Sequence, residues 1–182
     1  MVITKNKTVW PVTLAEVKDH LNIDSDFTAD DGKLTGMIRA ATEWAEGYID
    51  KDIALTTCTA QFYNNYNHMR IKEGNMRSVT SVTDTVDNVL IDSARYTVRK
   101  NYNSFEIDFD EGGDSNRFTV EEPLIVYVTG YTREDCPPSI KQAIMIRVGD
   151  LYDIERNNYA QGAIKNIQAS ERLLNQYVKL EF

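Results

Sequence analysis

Apolar residues recur every three to four positions near both ends of this chain and at every second position through its middle. Thr13, with Glu16 three residues on, makes a capping box, and Leu14, Val17 and Leu21 then share one helical face; this predicts a short helix over about Leu14 to Leu21. The acidic loop Asp24 to Asp31 follows, placing carboxylates where a helix dipole favours negative charge. Leu34, Met37, Ile38, Ala41, Trp44, Ala45, Tyr48 and Ile49 then fall at helical spacing and predict a second helix from about Gly32 to Ile49.

After Asp52 the period shortens to two. Thr56, Thr57, Thr59, Phe62 and Tyr63 supply β-branched and aromatic residues suited to a pleated surface. Further strands are expected at Met69 to Ile71, Val79 to Thr85, Val89 to Ile91, Tyr96 to Arg99, Phe105 to Phe109 and Leu124 to Thr129. Gly74 with Asn75, Asp87 with Asn88, Gly112 with Gly113, and Gly130 punctuate them as turns. Pro137 and Pro138 suit a helix start, where a missing N–H costs nothing, and Ile140, Ala143, Ile144, Val148, Leu151 and Tyr152 share a stripe running to about Arg156. Asn157 to Gly162 reads as a polar loop. Ser170 is placed to cap a last short helix carrying Leu173, Leu174, Tyr177 and Val178.

The fold class expected is therefore α+β: a helical core of two N-terminal helices, one long and one short C-terminal helix, interrupted by an antiparallel β-sheet or small barrel. Residues 1–52 and 133–182 would form the helical parts and 53–132 the inserted module. Each amphipathic stripe must bury its apolar face, so Trp44 and Ile38 are expected against the helix carrying Ile144 and Val148.

A chain of 182 residues is long enough to bury roughly 70% of its unfolded surface without metal or disulfide staples. Its hydrophobic fraction of 42% and charged fraction of 26% are those of an ordinary globular protein. A net charge of −8 and the lack of any basic run argue against a dedicated nucleic-acid grip, which needs clustered Lys and Arg. An acidic wall would still let DNA pass without sticking. Cys58 and Cys136 lie outside any CxxC spacing and are expected as free thiols in a reducing compartment. No secretion signal or membrane-spanning stretch is recognisable.

Chemistry-bearing motifs are sparse. His20 and His68 lack a third ligand at metal spacing and lack triad partners. Asp24, Asp26, Thr28, Asp30 and Asp31 resemble a calcium loop superficially, but Ala29 stands where the loop needs glycine and Thr35 where it needs a bidentate Glu. Asp108 with Asp110 and Glu121 with Glu122 are ordinary pairs in an acidic protein. Tyr63, Tyr66, Tyr96, Tyr102, Tyr127 and Tyr131 fit a strand composition at least as well as a stacking platform. No catalytic, cofactor-binding or metal-ligating residue is nominated.

These segments in this order resemble one family, the head-to-tail connector or adaptor proteins of tailed phages. The resemblance rests on Pro11-Val-Thr-Leu-Ala-Glu-Val-Lys-Asp-His-Leu21, on Asp30-Asp31 leading into Met37-Ile-Arg-Ala-Ala-Thr-Glu-Trp-Ala-Glu-Gly-Tyr-Ile49, on Ser78-Val-Thr-Ser-Val82, on Val126-Tyr-Val-Thr-Gly-Tyr131 and on Cys136-Pro-Pro-Ser-Ile-Lys-Gln-Ala-Ile144. It implies a non-enzymatic virion protein, made in host cytoplasm, that forms a homo-oligomeric ring, typically twelvefold, beneath the portal protein. Such a ring meets a stopper or tail-completion protein on its far side and lets DNA through its middle without sequence-specific binding. It implies no cofactor and no membrane. By the same resemblance a C-terminal tail docks onto the portal, which points to Leu173, Leu174, Tyr177, Val178 and Phe182; the ending Lys179-Leu-Glu-Phe182 matches no family pattern. Two other classes stay open: another virion protein such as a stopper or tail-completion factor, which would be mainly β, and a small binding module or enzyme, which would require a pocket with convergent polar groups.

Overall fold

The computed structural model describes residues 1–64, 66–101, 104–109, 120–156 and 168–178. The chain divides into two compact units, one of residues 1–8 and 55–130, the other of residues 9–54 and 131–182. The fold is α+β, with two antiparallel sheets in one unit and the helices in the other.

In the sheet unit, β1 (Val2–Val9), β2 (Leu55–Gln61), β4 (Met76–Asp84), β5 (Val89–Leu90) and β8 (Pro123–Thr129) form a five-stranded sheet in the order β1-β2-β8-β4-β5. β3 (His68–Ile71), β6 (Tyr96–Lys100) and β7 (Phe105–Phe109) form a three-stranded sheet in the order β3-β7-β6. Burial alternates along β2, β7 and β8, as period-two sequence requires when one face is covered. The covered faces share one apolar core, with Cys58, Val82, Ile125 and Tyr127 from the larger sheet and Met69, Ile71, Phe105 and Ile107 from the smaller. The rings of Phe105 and Tyr127 meet edge to face there, with centroids 5.0 Å apart. Two register shifts in the β4–β8 ladder mark bulges that bend β4.

Strand β1 differs from the sequence expectation, which assigned residues 1–52 to the helical part. As the end strand of its sheet it has one neighbour and buries little, so Thr4, Lys5, Asn6 and Lys7 interrupt the apolar signal. The expected turns at Asn75 and Asn88 adopt the left-handed conformation, φ 66° and 54°, as does Gly130 at 82°; Gly112 and Gly113 lie outside the described residues.

The helical unit contains α1 (Leu14–His20), α2 (Asp31–Ile49), α3 (Pro138–Arg156), a helical stretch over residues 168–174 and a 3₁₀ turn at Asn175–Tyr177. The capping box is formed: the Glu16 N–H donates to Thr13 Oγ1 and the Thr13 N–H to Glu16 Oε2. Helix α2 ends at Asp50 in the left-handed conformation, and Glu46 Oε1 accepts from the Ile53 and Ala54 N–H groups just beyond. Leu34, Ile38, Ala41, Ala45 and Ile49 of α2 pack with Ile140, Ala143, Ile144, Val148 and Tyr152 of α3 in one core. Ile38 thus lies where the stripes placed it, whereas Trp44 is half-buried at the margin of that core. Ser170 is a correction: the helix already includes residues 168 and 169, so Ser170 is buried inside it and does not cap it. The polar stretch Asn157 to Gly162 lies outside the described residues.

Candidate functional site

Among the described residues, catalytic groups are not brought together. His20 ends α1 exposed to solvent. His68 Nδ1 lies 2.5 Å from Asp108 Oδ1, and Arg99 reaches the other oxygen of Asp108 at 3.4 Å, but the imidazole is half exposed on the outer face of a sheet. Both thiols are buried. Burial pushes the Cys136 thiol up to about 11; the Lys141 ammonium pulls against this and the Asp135 and Glu16 carboxylates add to it, so it is held as a neutral thiol. Among the described residues no group of three metal-ligating side chains occurs, and no helix is long and apolar enough to cross a membrane.

The calcium-like loop is organised from within. The Lys18 ammonium, almost fully buried, donates to the carbonyls of Ser25 at 3.2 Å and Phe27 at 2.8 Å and pairs with Asp31 Oδ1 at 2.6 Å. A side-chain cation thus already holds Asp31, one of the candidate ligands, and two carbonyls of the loop. Asp30, at the head of α2, accepts from the Tyr152 hydroxyl at 2.9 Å and makes no cap to its own helix. The five described tyrosines of that set form no platform: Tyr127 is buried, Tyr66 and Tyr96 pack edge-on against Phe62 and Phe109, and Tyr131 belongs to the other unit; Tyr102 lies outside the described residues. Tyr63 is exposed.

Surfaces are the more informative feature. Of the expected docking residues, Leu174 is fully buried in the helical core, and Leu173, Tyr177 and Val178 are half-buried against it. Phe182 lies outside the described residues. The segment is fastened by polar contacts as well: Tyr48 donates to Asn175 Oδ1 at 2.6 Å, the Tyr177 and Ser139 hydroxyls lie 2.7 Å apart, and Gln176 Nε2 donates to Ser139 Oγ at 3.2 Å.

A second surface escaped the sequence reading. Val86, Val89 and Leu90 are exposed at the tip of the β4–β5 hairpin. The available signal was three large apolar residues in and beside the Asp87-Asn88 turn, a place where polar residues suffice.

Charge is unevenly divided. The helical unit carries 17 Asp and Glu against 11 Lys and Arg, so it holds most of the net negative charge.

Residues 11–127 match the model of the phage gp6-like head-tail connector proteins, and the chain belongs to that family. Among curated proteins no sequence matches it. In fold it is similar to a chain in the neck of an empty GTA particle computed with C6 symmetry, with a TM-score of 0.72, 17% identity, and 100% of this chain and 97% of that one covered. A chain in the virion of a native gene transfer agent particle gives a TM-score of 0.70 at 16% identity, and one in the neck of a native GTA particle computed with C12 symmetry gives 0.67 at 14%. Each of these also covers 100% of this chain and 97% of the other.

Proposed function

We propose that the chain is a structural virion protein, not an enzyme, forming a ring adaptor between the portal and the stopper or tail of a tailed phage and continuing the DNA channel. The observation that carries this reading is the family match over residues 11–127. The likeness to neck chains in particles computed with C6 and C12 symmetry supports a cyclic assembly, for which twelve copies is the expected number. The acidic helical unit favours passage of DNA over retention of it, since like charges repel across a lumen.

Portal docking by the C-terminal segment remains the expected contact, carried by Leu173, Tyr177 and Val178 together with Phe182; Leu174 joins it only by leaving its own core. The test is electron microscopy of heads from a phage lacking this protein, before and after adding the purified chain. The expected result is DNA-leaking or tailless heads that regain a ring of density beneath the portal. Heads that mature and join tails normally without the protein refute the reading.

A further inference from the structure

Five of the seven large hydrophobic side chains exposed among the described residues lie at the two opposite ends of one sheet. Met1 and Val2 mark the β1 end; Val86, Val89 and Leu90, the last 68% exposed, mark the β5 end. Exposed apolar residues scattered singly are normal, whereas neighbouring ones that form a contiguous patch mark interaction surfaces.

The β5 end is built for rigid display. Buried Asp84 accepts from the Val86 and Asp87 N–H groups through Oδ1, at 3.0 and 3.4 Å, and from the Glu121 N–H through Oδ2 at 2.8 Å. Asn88 turns the chain in the left-handed conformation. Side chains held this way lose little freedom on binding. Beside Leu90 runs a groove of about 430 Å³ lined by Thr80, Ser81, Ile91, Asp92 and Tyr96. The exposed carboxylates of Asp87 and Asp92 flank β5.

The β1 end is its complement. Among the described residues strand β1 has one neighbour, β2, and a strand of that kind is a ready template for further pairing. It contains Lys5 and Lys7 and no carboxylate, Lys5 holding Glu73 at 3.0 Å.

We propose that the occupant of each end is a second copy of this chain: β1 of one copy seats against the β4–β5 hairpin of the next, with Lys5 and Lys7 facing Asp87 and Asp92. The contact joins two different surfaces, so it propagates head to tail and closes only as a ring. The inference rests on the ring reading above and names the surface that makes the ring.

The experiment uses the full chain carrying Asn6→Cys and Leu90→Cys, both at exposed positions, treated with a flexible bismaleimide at high concentration. The native thiols are buried, so background coupling is low. The expected result is a ladder of covalent oligomers from the double variant and little coupling in either single variant. In parallel, Leu90→Asp should weaken self-association at least about tenfold, as loss of an interface anchor does, with an unchanged melting curve. Rings that persist with Leu90→Asp, or rings of the double-cysteine variant that give no ladder, overturn this surface and leave the ring reading intact. Strong dimers from a single-cysteine variant overturn it too, because they report a two-fold contact. A wild-type chain that stays monomeric at every concentration, alone and with portal-bearing heads, removes the ring reading and this surface together.

Discussion

The guanidinium of Arg147 on α3 lies over the indole of Trp44 on α2, 4.9 Å from the ring centroid. Trp44 also tilts against Tyr48, whose hydroxyl holds Asn175 of the C-terminal turn. One half-buried aromatic thus touches α3 directly and is linked to the C-terminal turn through Tyr48, from a position at the margin of the core.

That placement sets an expected energy. Full burial would make Trp44→Ala cost about 3 to 5 kcal/mol; half-burial lowers the expectation to about 2 kcal/mol, and Arg147→Ala to about 1 kcal/mol or less. A double-mutant cycle read by urea unfolding should return a coupling of about 0.5 to 1 kcal/mol. Strictly additive losses would mean that the ring and the guanidinium do not interact in solution.

Lys18→Met tests the internal cation. Removing the ammonium leaves Asp31 and two carbonyls facing an apolar side chain, and breaking one side of a buried pair costs about 3 kcal/mol or more. The fall should appear in the melting temperature of the helical unit. Millimolar calcium should not raise the melting temperature of the wild type, because Lys18 already holds Asp31 and two loop carbonyls and Tyr152 holds Asp30. A calcium-dependent rise would restore the loop as a metal site.

The capping box has a pH signature. Burial raises Glu16, but hydrogen bonds from the Thr13 N–H and hydroxyl and the nearby Lys141 ammonium overcome it, and the net shift is below the ordinary 4.5. A lowered carboxylate stabilises the fold above its unfolded value and loses that effect as pH falls through the folded one. Glu16→Gln should therefore be less stable than wild type at pH 7, with the gap closing below about pH 4. A gap that stays constant down to pH 2 would show that the carboxylate charge plays no part.

How much of this was legible depended on whether a residue's role was periodic. Ile38, Ile144 and Val148 lie on stripes, and their packing followed from spacing; Phe105 to Phe109 alternates cleanly, and its strand has the expected bounds. Strand β1 was hidden because an end strand buries few side chains. Lys18 gave no local sign, since its partners stand seven and nine residues away in an irregular loop. The exposed valines of the hairpin broke no periodic rule, and it was their solvent exposure that marked them.

Gly36 tests whether α2 is complete within this chain. A Cβ there would meet nothing within 4 Å, and glycine inside a helix costs about 0.5 to 1 kcal/mol relative to alanine. Gly36→Ala should stabilise the isolated chain by about that amount in thermal or urea unfolding. Destabilisation would mean that the backbone at this position is strained.

The C-terminal segment must hold its own core and, on the reading proposed here, also meet the portal, and single substitutions can separate the two tasks. Leu174 is fully buried with α2 and α3 side chains, so Leu174→Ala should cost about 2 to 4 kcal/mol and lower the melting temperature. Leu173 and Val178 keep part of their surface in solvent. Leu173→Asp and Val178→Asp should therefore cost clearly less stability while reducing attachment to portal-bearing heads. Deleting residues 170–182 would mix both effects, because it also removes Leu174 from the core. If the two aspartate variants bind heads as the wild type does, docking belongs elsewhere on the chain, and the segment's work is to complete the helical unit.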